Sequence, residues 1–484
     1  MIMDQSLLNK SLTHLSVALV HLCKSHKPYT VHKDLNGGFG TADDFSGFRG
    51  SALVRFFKKQ TVSLPVIGFA HLQSIFKNRG AKVTYIEGDV NDISSQFDIV
   101  LLYGSIVDHV YENEQCQLIK HKFPEACVGF FGNFVQTSPH LFAAADFILF
   151  GEAESYFAEE FTSLDQLKGC IKVKSMADYD ALPVPDLTGF PIDDYQYSLS
   201  QGTKRFVPYQ SSKGCPYSCS FYCTYGKFQG PKIRQRSAEK VVSDLLYLKN
   251  QYNVECVQFR DPVFGLKRGF IDELCEQMHK IKLNIVWGME TRADLLNEKN
   301  LKQMFAVGLR RINIGIETTD VQVAQRNKRP LILENHQEHI VNLCQKIGIT
   351  VAAFYVFGLE GDSKASIKQT INYAIKLNTP VARFAVATPY PGTGFYEKLR
   401  LEGKLLTNDL EKYTQFNLVF KHANLTPADI RRLLGKAYCR YYLRLDYWGM
   451  MISKFIKRHF KGSNKPTWMP RAASSSLKGS ILNP

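Results

Sequence analysis

Three cysteines fall within nine residues of this 484-residue sequence, at positions 215, 219 and 223. They stand in the run Ser212-Lys213-Gly214-Cys215-Pro216-Tyr217-Ser218-Cys219-Ser220-Phe221-Tyr222-Cys223-Thr224-Tyr225-Gly226, a CxxxCxxxC pattern. Three thiolates suit three irons of a cubane. An electron-transfer cluster ordinarily has four cysteine ligands, so three leave one iron open to a substrate. A structural zinc site asks for four closed ligands, often in paired CxxC spacing, and no fourth Cys or His stands nearby. Chance clustering is the remaining reading. Gly214, Pro216 and Gly226 fit a tight loop folded around an inorganic core.

The loop needs a frame, and the flanking sequence supplies one. Continuous apolar runs at 205–210, 254–260, 284–289, 311–316, 350–357 and 382–388 each precede a helical pattern. Such strand–helix units predict a parallel sheet with right-handed crossovers, here an incomplete barrel. Barrels of this type place chemistry in the loops beyond the carboxyl ends of the strands, and the cysteines follow the first strand. A second alternation precedes it, with strands expected at 15–22, 82–86, 97–103, 126–131 and 146–150 and helices at 51–59 and 66–77. The class read from this is α/β. A Rossmann-like parallel sheet domain (15–160) is followed by a linker rich in proline and aspartate (161–204) and a partial (βα)6 barrel (205–404). A mainly helical C-terminal region (405–465) and a tail of disordered composition (466–484) complete the chain.

With the cysteines placed at a strand end, the sequence resembles the radical S-adenosylmethionine enzymes, and within them the subgroup whose N-terminal domain resembles a cobalamin-binding domain. The likeness runs from about 15 to 445 and rests on loops in order. Arg234-Gln235-Arg236-Ser237 precedes an amphipathic helix. Phe259-Arg260-Asp261-Pro262, Glu290-Thr291-Arg292-Ala293-Asp294 and Gly315-Ile316-Glu317 end the next three strands. Phe357-Gly358-Leu359-Glu360-Gly361 and Pro389-Tyr390-Pro391-Gly392-Thr393 end the last two. The subgroup's loop is CxxxCxxC. Cys215 and Cys219 match it and Cys223 is displaced by one residue, which we read as a bulge.

The resemblance implies a [4Fe-4S] cluster on Cys215, Cys219 and Cys223, whose open iron binds S-adenosylmethionine and whose electron cleaves it to a 5′-deoxyadenosyl radical. Tyr222 matches the position that faces the adenine. Glu317, then Asp261, are candidates for the ribose hydroxyls, and Arg292 for the cofactor's carboxylate. An ordinary strand-end ion pair is the competing reading for each of these charged residues. Cobalamin is implied for the first domain, with Gly104-Ser105, Gly132-Asn133, Thr137 and Gly151-Glu152 as tentative contacts. No DxHxxG motif is present, and Asp108-His109 lacks its spacing. The reaction implied is cobalamin-dependent methyl transfer to an unactivated carbon. A cobalamin-independent oxidoreductase or cyclase and a non-catalytic iron–sulfur scaffold are the alternatives. No catalytic residue is assignable from the sequence.

Composition narrows the partners. The formal net charge is +15, either a solvated basic surface or attraction to an anionic partner. No Lys/Arg block interleaves with aromatics and no appended RNA-binding domain is visible, so nucleic acid is not the expected partner. A small-molecule or lipid substrate and an external electron donor are expected. Eleven cysteines, an odd number in a large chain, point to a reducing compartment, the cytoplasm. No run reaches the roughly 18 apolar residues of a membrane span. The N-terminal apolar run lacks a basic flank and is read as a strand. Residues 447–460 could lie on a membrane surface or pack on the barrel.

Overall fold

The computed structural model describes residues 12–24, 27, 30–43, 63–197 and 205–459. The helix expected at 51–59 and the tail at 466–484 lie outside the described residues. The first domain is a six-stranded parallel sheet of β1 (Ser16–Leu22), β2 (Lys82–Gly88), β3 (Ile99–Tyr103), β4 (Cys127–Phe131), β5 (Phe147–Phe150) and β6 (Gly169–Lys172), in the order β2-β1-β3-β4-β5-β6. All five residues of β3 are buried, as a strand covered on both faces requires. Helix α1 (Ile67–Asn78) is buried from Ile67 through Phe76, so it is a core element rather than an amphipathic cover. Helix α2 (His109–Lys122) buries Cys116 and Ile119 in a second core cluster with Val100, Leu102 and Val128. Its first residue, His109, sets Nδ1 3.0 Å from the Ile106 carbonyl, a polar turn contact.

The segment of linker composition does more than connect. It supplies the edge strand β6, and residues 176–197 bury Met176, Tyr179, Leu182, Leu187, Phe190 and Tyr195. Phe190 stacks on Tyr85 at 3.6 Å. Ser74 Oγ donates to the Val184 carbonyl (2.6 Å), and His71 Nδ1 lies 3.0 Å from the Pro183 carbonyl. Burial, with Arg236 next in weight, holds the His71 imidazole well below its usual 6.5. A depressed histidine contributes stability that is present above the unfolded value and lost as pH falls below it. Wild-type stability to urea should therefore decline as pH drops below about 6.5, and His71→Gln should flatten that slope.

The second domain is a six-stranded parallel sheet in chain order: β7 (Phe206–Tyr209), β8 (Cys256–Phe259), β9 (Val286–Thr291), β10 (Leu309–Glu317), β11 (Thr350–Phe357) and β12 (Val381–Val386). Strands β7 and β12 pair with no partner on their outer sides within the sheet, so it is an open barrel, as the strand–helix count predicts. Helices α3 (Ala238–Tyr252), α4 (Phe270–Lys280), α5 (Glu298–Ala306), α6 (Glu334–Ile347), α7 (Lys364–Leu377) and α8 (Gly394–Leu401) alternate with the strands. Trp287, fully buried, fills the interior.

An open sheet leaves bare backbone along β12, and helix α9 (Pro427–Tyr442) covers it. Tyr438 and Tyr442, one turn apart on that helix, donate to the carbonyls of Phe384 (3.0 Å) and Ala382 (2.7 Å). They also accept the N–H groups of the same two residues, at 3.3 and 3.0 Å. Two phenols thus do for the edge what a seventh strand would. Helix α10 (Leu445–His459) follows.

Candidate functional site

The cysteine loop leaves β7 and is closed at its base by an antiparallel pair, Ser212–Lys213 against Arg234–Gln235. Beneath that base lies Asp261, at the end of β8 and fully buried. It accepts from the Ser211 N–H (2.7 Å) and from the hydroxyls of Ser211 and Ser212 (2.9 Å for the latter). Burial lifts its carboxyl to about 6 in spite of these donors. The structure therefore places Asp261 under the loop as its anchor. Gly214 has φ 92, and a Cβ there would sit 2.0 Å from the Lys232 carbonyl oxygen, so only glycine turns the chain into Cys215.

The extra residue before Cys223 is taken up in a helical turn. A 3-10 helix spans Ser218–Phe221, and the Cys223 N–H donates to the Cys219 carbonyl (3.0 Å). Cys223 itself is extended (φ −88, ψ 134), and its thiol stands near enough to Cys219 to be raised by it. Cys215 is tied to the far side of the loop through its N–H and the Gly230 carbonyl (3.0 Å). Among the described residues no three His, Cys, Asp or Glu side chains converge on a single point. Burial raises all three thiols. Cys223 is pushed up to about 12, by burial first and then by Cys219. Three thiols in one loop are soft sulfur donors of the kind an iron–sulfur cluster takes, and its irons supply the positive charge that favours thiolates. On this ground the donor set fits a cluster.

Two cations and an acid border the thiols. Arg292 is held by Asp294 in two contacts (3.0 and 2.8 Å) and lies 4.3 Å over the Tyr217 ring. Glu317 closes β10 at φ 67, a left-handed conformation that costs a non-glycine residue about 1 kcal/mol. That turn brings its carboxylate to 3.5 Å from Arg329, which donates to the Gly315 carbonyl at 2.6 Å. A Cβ on Gly315 would meet Glu317 Oε1 at 2.6 Å, so a larger residue there would displace that carboxylate. Burial raises the Glu317 carboxyl while Arg329 opposes it, and Arg329 also draws Cys219 downward. The structure thus gathers Tyr222, Arg292 and Glu317 around the thiols and sets Asp261 below them. Sequence reasoning missed Arg329. It follows the short helix Val321–Arg326 rather than a strand end, so no strand-end pattern marks it.

The carboxyl ends of the first sheet face this loop across a cavity of about 100 Å³. Gly132, Asn133, Gly151 and Glu152 line it, with Lys213 and Arg260 on the barrel side. Gly104, Ser105 and Thr137 lie outside its wall. A Cβ on Gly104 would strike Val135 at 2.2 Å, Ser105 bonds Glu112 through N–H and hydroxyl (both 2.7 Å), and Thr137 donates to the Phe134 carbonyl (2.7 Å). Glu152 is engaged by Arg234 (2.8 Å). The glycine-rich first loop fills the rest of the cleft. The Gly38 carbonyl accepts from Tyr103 (2.8 Å), the Gly37 carbonyl from Asn133 (2.6 Å) and the Asn36 carbonyl from Thr224 (2.7 Å). The Asn36 side chain reaches Tyr390 and Gln415 (2.7 Å to the latter). Sites for drug-sized ligands measure roughly 300–1,000 Å³, so the glycine-edged wall fits the rim of a corrin only if residues 34–38 shift.

An open parallel barrel with three thiols after its first strand, set against a second parallel sheet, defines the class. Residues 209–374 match the model of the Radical SAM superfamily, a match that implies a [4Fe-4S] cluster and S-adenosylmethionine. Its relatives include an uncharacterised methyltransferase of Pyrococcus horikoshii, 28% identical over 64% of this chain and 72% of that protein. The anaerobic magnesium-protoporphyrin IX monomethyl ester cyclase of Rubrivivax gelatinosus is 25% identical over 78% of this chain and 74% of its own. Among solved structures, the fold is shared with the radical S-adenosylmethionine methyltransferase TsrM of Kitasatospora setae, solved with cobalamin and a [4Fe-4S] cluster. The TM-score is 0.59 at 15% identity, over 86% of this chain and 84% of that one.

Proposed function

We propose that this radical enzyme transfers a methyl group to an unactivated carbon of a small molecule, with cobalamin and with an external electron donor. The turn in which the Cys223 N–H bonds the Cys219 carbonyl carries the reading, because it keeps all three cysteines in one loop beyond β7 despite the widened spacing. Cys215, Cys219 and Cys223 hold the cluster. Arg292 receives the carboxylate of S-adenosylmethionine, Glu317 its ribose hydroxyls and Tyr222 the adenine face. Bound there, the cluster and S-adenosylmethionine supply a 5′-deoxyadenosyl radical, and cobalamin a methyl group. Asp261 positions the loop. Gly132, Asn133, Gly151 and Glu152 form the edge against which the corrin rests. The methyltransferase relative and the methyltransferase of shared fold support the reaction type.

A specific observation favours a second reading, a cobalamin-independent oxidoreductase or cyclase: the first loop already holds Tyr103 and Asn133. The two are separated by products. With cobalamin, S-adenosylmethionine and reductant, the methyl-transfer reading expects 5′-deoxyadenosine together with S-adenosylhomocysteine, and the second reading expects 5′-deoxyadenosine without S-adenosylhomocysteine. Asn36→Ala should speed cobalamin uptake, followed by visible absorbance, because it frees the loop from Gln415 and Tyr390. An unchanged rate would show that the loop does not gate the cleft.

A further inference from the structure

We propose that the cleft receives a substrate carrying a carboxylate or phosphate, and that Arg260 binds this group in competition with Asp34 of the first loop. The inference deepens the methyl-transfer reading and rests on it for calling the occupant a substrate. Barrels of parallel strands are ordinarily filled by branched apolar side chains. This bore is polar instead. Arg260, just beyond β8, bonds Glu290, whose carboxylate lies 3.4 Å from the Asn313 amide. Asn313 accepts from Arg311 (3.0 Å) and donates to Tyr197 (2.9 Å). On β12 the Phe384 ring meets Tyr438 and Tyr441 of α9 (5.4 and 6.0 Å), so Arg383 faces inward. Glu317 at the rim is met by Arg329 at 3.5 Å. Inside the bore, Arg260, Arg311 and Arg383 thus face one acid, Glu290. Among the described residues Arg311 and Arg383 reach neutral partners, Asn313 and Tyr197 for the first and Gln415 for the second.

Arg260 is built as the receptor. It is 7% exposed, it lines the cavity, and its Nε has no hydrogen-bond partner. Its Nη1 is engaged by Glu290, which leaves the edge that carries Nε for the paired grip a planar oxyanion takes. Its backbone N–H donates to the Tyr209 carbonyl (2.7 Å) and so sets it beside Gln210, another lining residue, whose amide adds a donor. Two acids of the wall are already answered, Glu152 by Arg234 (2.8 Å) and Glu154 by Lys213 (3.7 Å). Asp34 lines the same cavity, and its side chain makes no bond to the turn that it begins. Burial pushes its carboxyl up to about 7 against the pull of Arg260. The shift of residues 34–38 that admits a corrin takes this competing carboxylate away. The bore is then left with excess positive charge, and buried charge without a counter-charge is costly. An oxyanion on the substrate supplies the balance. Tyr355 stacks on Phe384, so Phe354 and Val356 face inward on β11, half-buried, and leave an apolar wall for the rest of the molecule.

The test is calorimetric binding of hexanoate, hexyl phosphate and hexylammonium to the anaerobically reconstituted full chain, with phenylglyoxal modification of Arg260 followed by peptide mass. The anions should bind and should slow modification of Arg260, and hexylammonium should do neither. The tighter of the two anions names the group, carboxylate or phosphate. Arg260→Gln should weaken anion binding at least about tenfold, the loss of a charge-assisted pair. Asp34→Asn should tighten it, because a competing carboxylate is gone, and an unfolded variant does not give that sign. Iron per chain, read on the same samples, should stay at the wild-type level in both. Hexylammonium bound as tightly as hexanoate, or anion affinity unchanged in either variant, would overturn the proposal. So would the absence of anion binding in both wild type and Asp34→Asn. Binding is read without turnover, so a protein that forms no 5′-deoxyadenosine would contradict the radical reading and leave the anion site standing, and absent anion binding would do the reverse.

Discussion

Cys219→Ala should lose 5′-deoxyadenosine formation by more than the ~10–100-fold that removing a supporting group near a metal costs, and should lose iron with it. Cys219 is the central member of the triad. Its thiol is buried, its carbonyl receives the Cys223 N–H at 3.0 Å, and Arg329 acts on it. Alanine leaves two thiols, Cys215 and Cys223, where a cubane with one open iron asks for three. Cys344→Ala is the control. That residue is buried in α6 as a small apolar side chain, so its loss should lower stability while iron content and turnover persist. Iron per chain and the nucleoside product are the two readouts. A Cys219→Ala protein with full iron and full turnover would remove Cys219 from the ligand set.

Asp261→Ala is the largest expected change in stability, about 3–5 kcal/mol, the range for removing one partner of a buried charged network. The carboxylate is fully buried and meets three donors, the Ser211 N–H and the hydroxyls of Ser211 and Ser212. Each donor left without an acceptor costs about 1–3 kcal/mol. The loss is felt where the chain enters the cysteine loop, so iron retention should fall together with the denaturation midpoint. Asp261→Asn keeps one acceptor and should fall between. Were Asp261 instead a direct contact to ribose, Asp261→Asn would leave stability near wild type and raise the KM for S-adenosylmethionine.

The strands were the most legible part of the chain. β3 and β11 are continuous apolar runs, and strands buried on both faces have no choice but to look like that. The cysteine loop was legible because glycine and proline punctuate it and a strand precedes it. Strand β6 was not. Gly169, Cys170 and Lys172 are exposed at the sheet edge, where no apolar run is needed, so a real strand read as linker. Nor could the sequence show that residues 176–197 bury six or more large side chains, for their proline and aspartate spacing has no period.

Within the site, residue type was easier to read than engagement. Ser105 and Asn133 carry the groups expected of ligand-binding loops, yet Glu112 takes the first and the Gly37 carbonyl the second. Those partners lie 7 and 96 residues away, and only the fold brings the distant one into reach. Glu317 was visible as a strand-end acid, but its left-handed φ and its pairing with Arg329 depend on the irregular register between Gly315 and Glu317. Conformation there follows from packing, which composition does not encode.

The most direct measurement is the product of S-adenosylmethionine on the anaerobically reconstituted full-length protein, with iron counted on the same sample. A chain carrying a complete cluster on Cys215, Cys219 and Cys223 should form methionine and 5′-deoxyadenosine when reductant is supplied, and none without it. A full cluster that yields no 5′-deoxyadenosine under those conditions would contradict the assignment of radical chemistry to this loop.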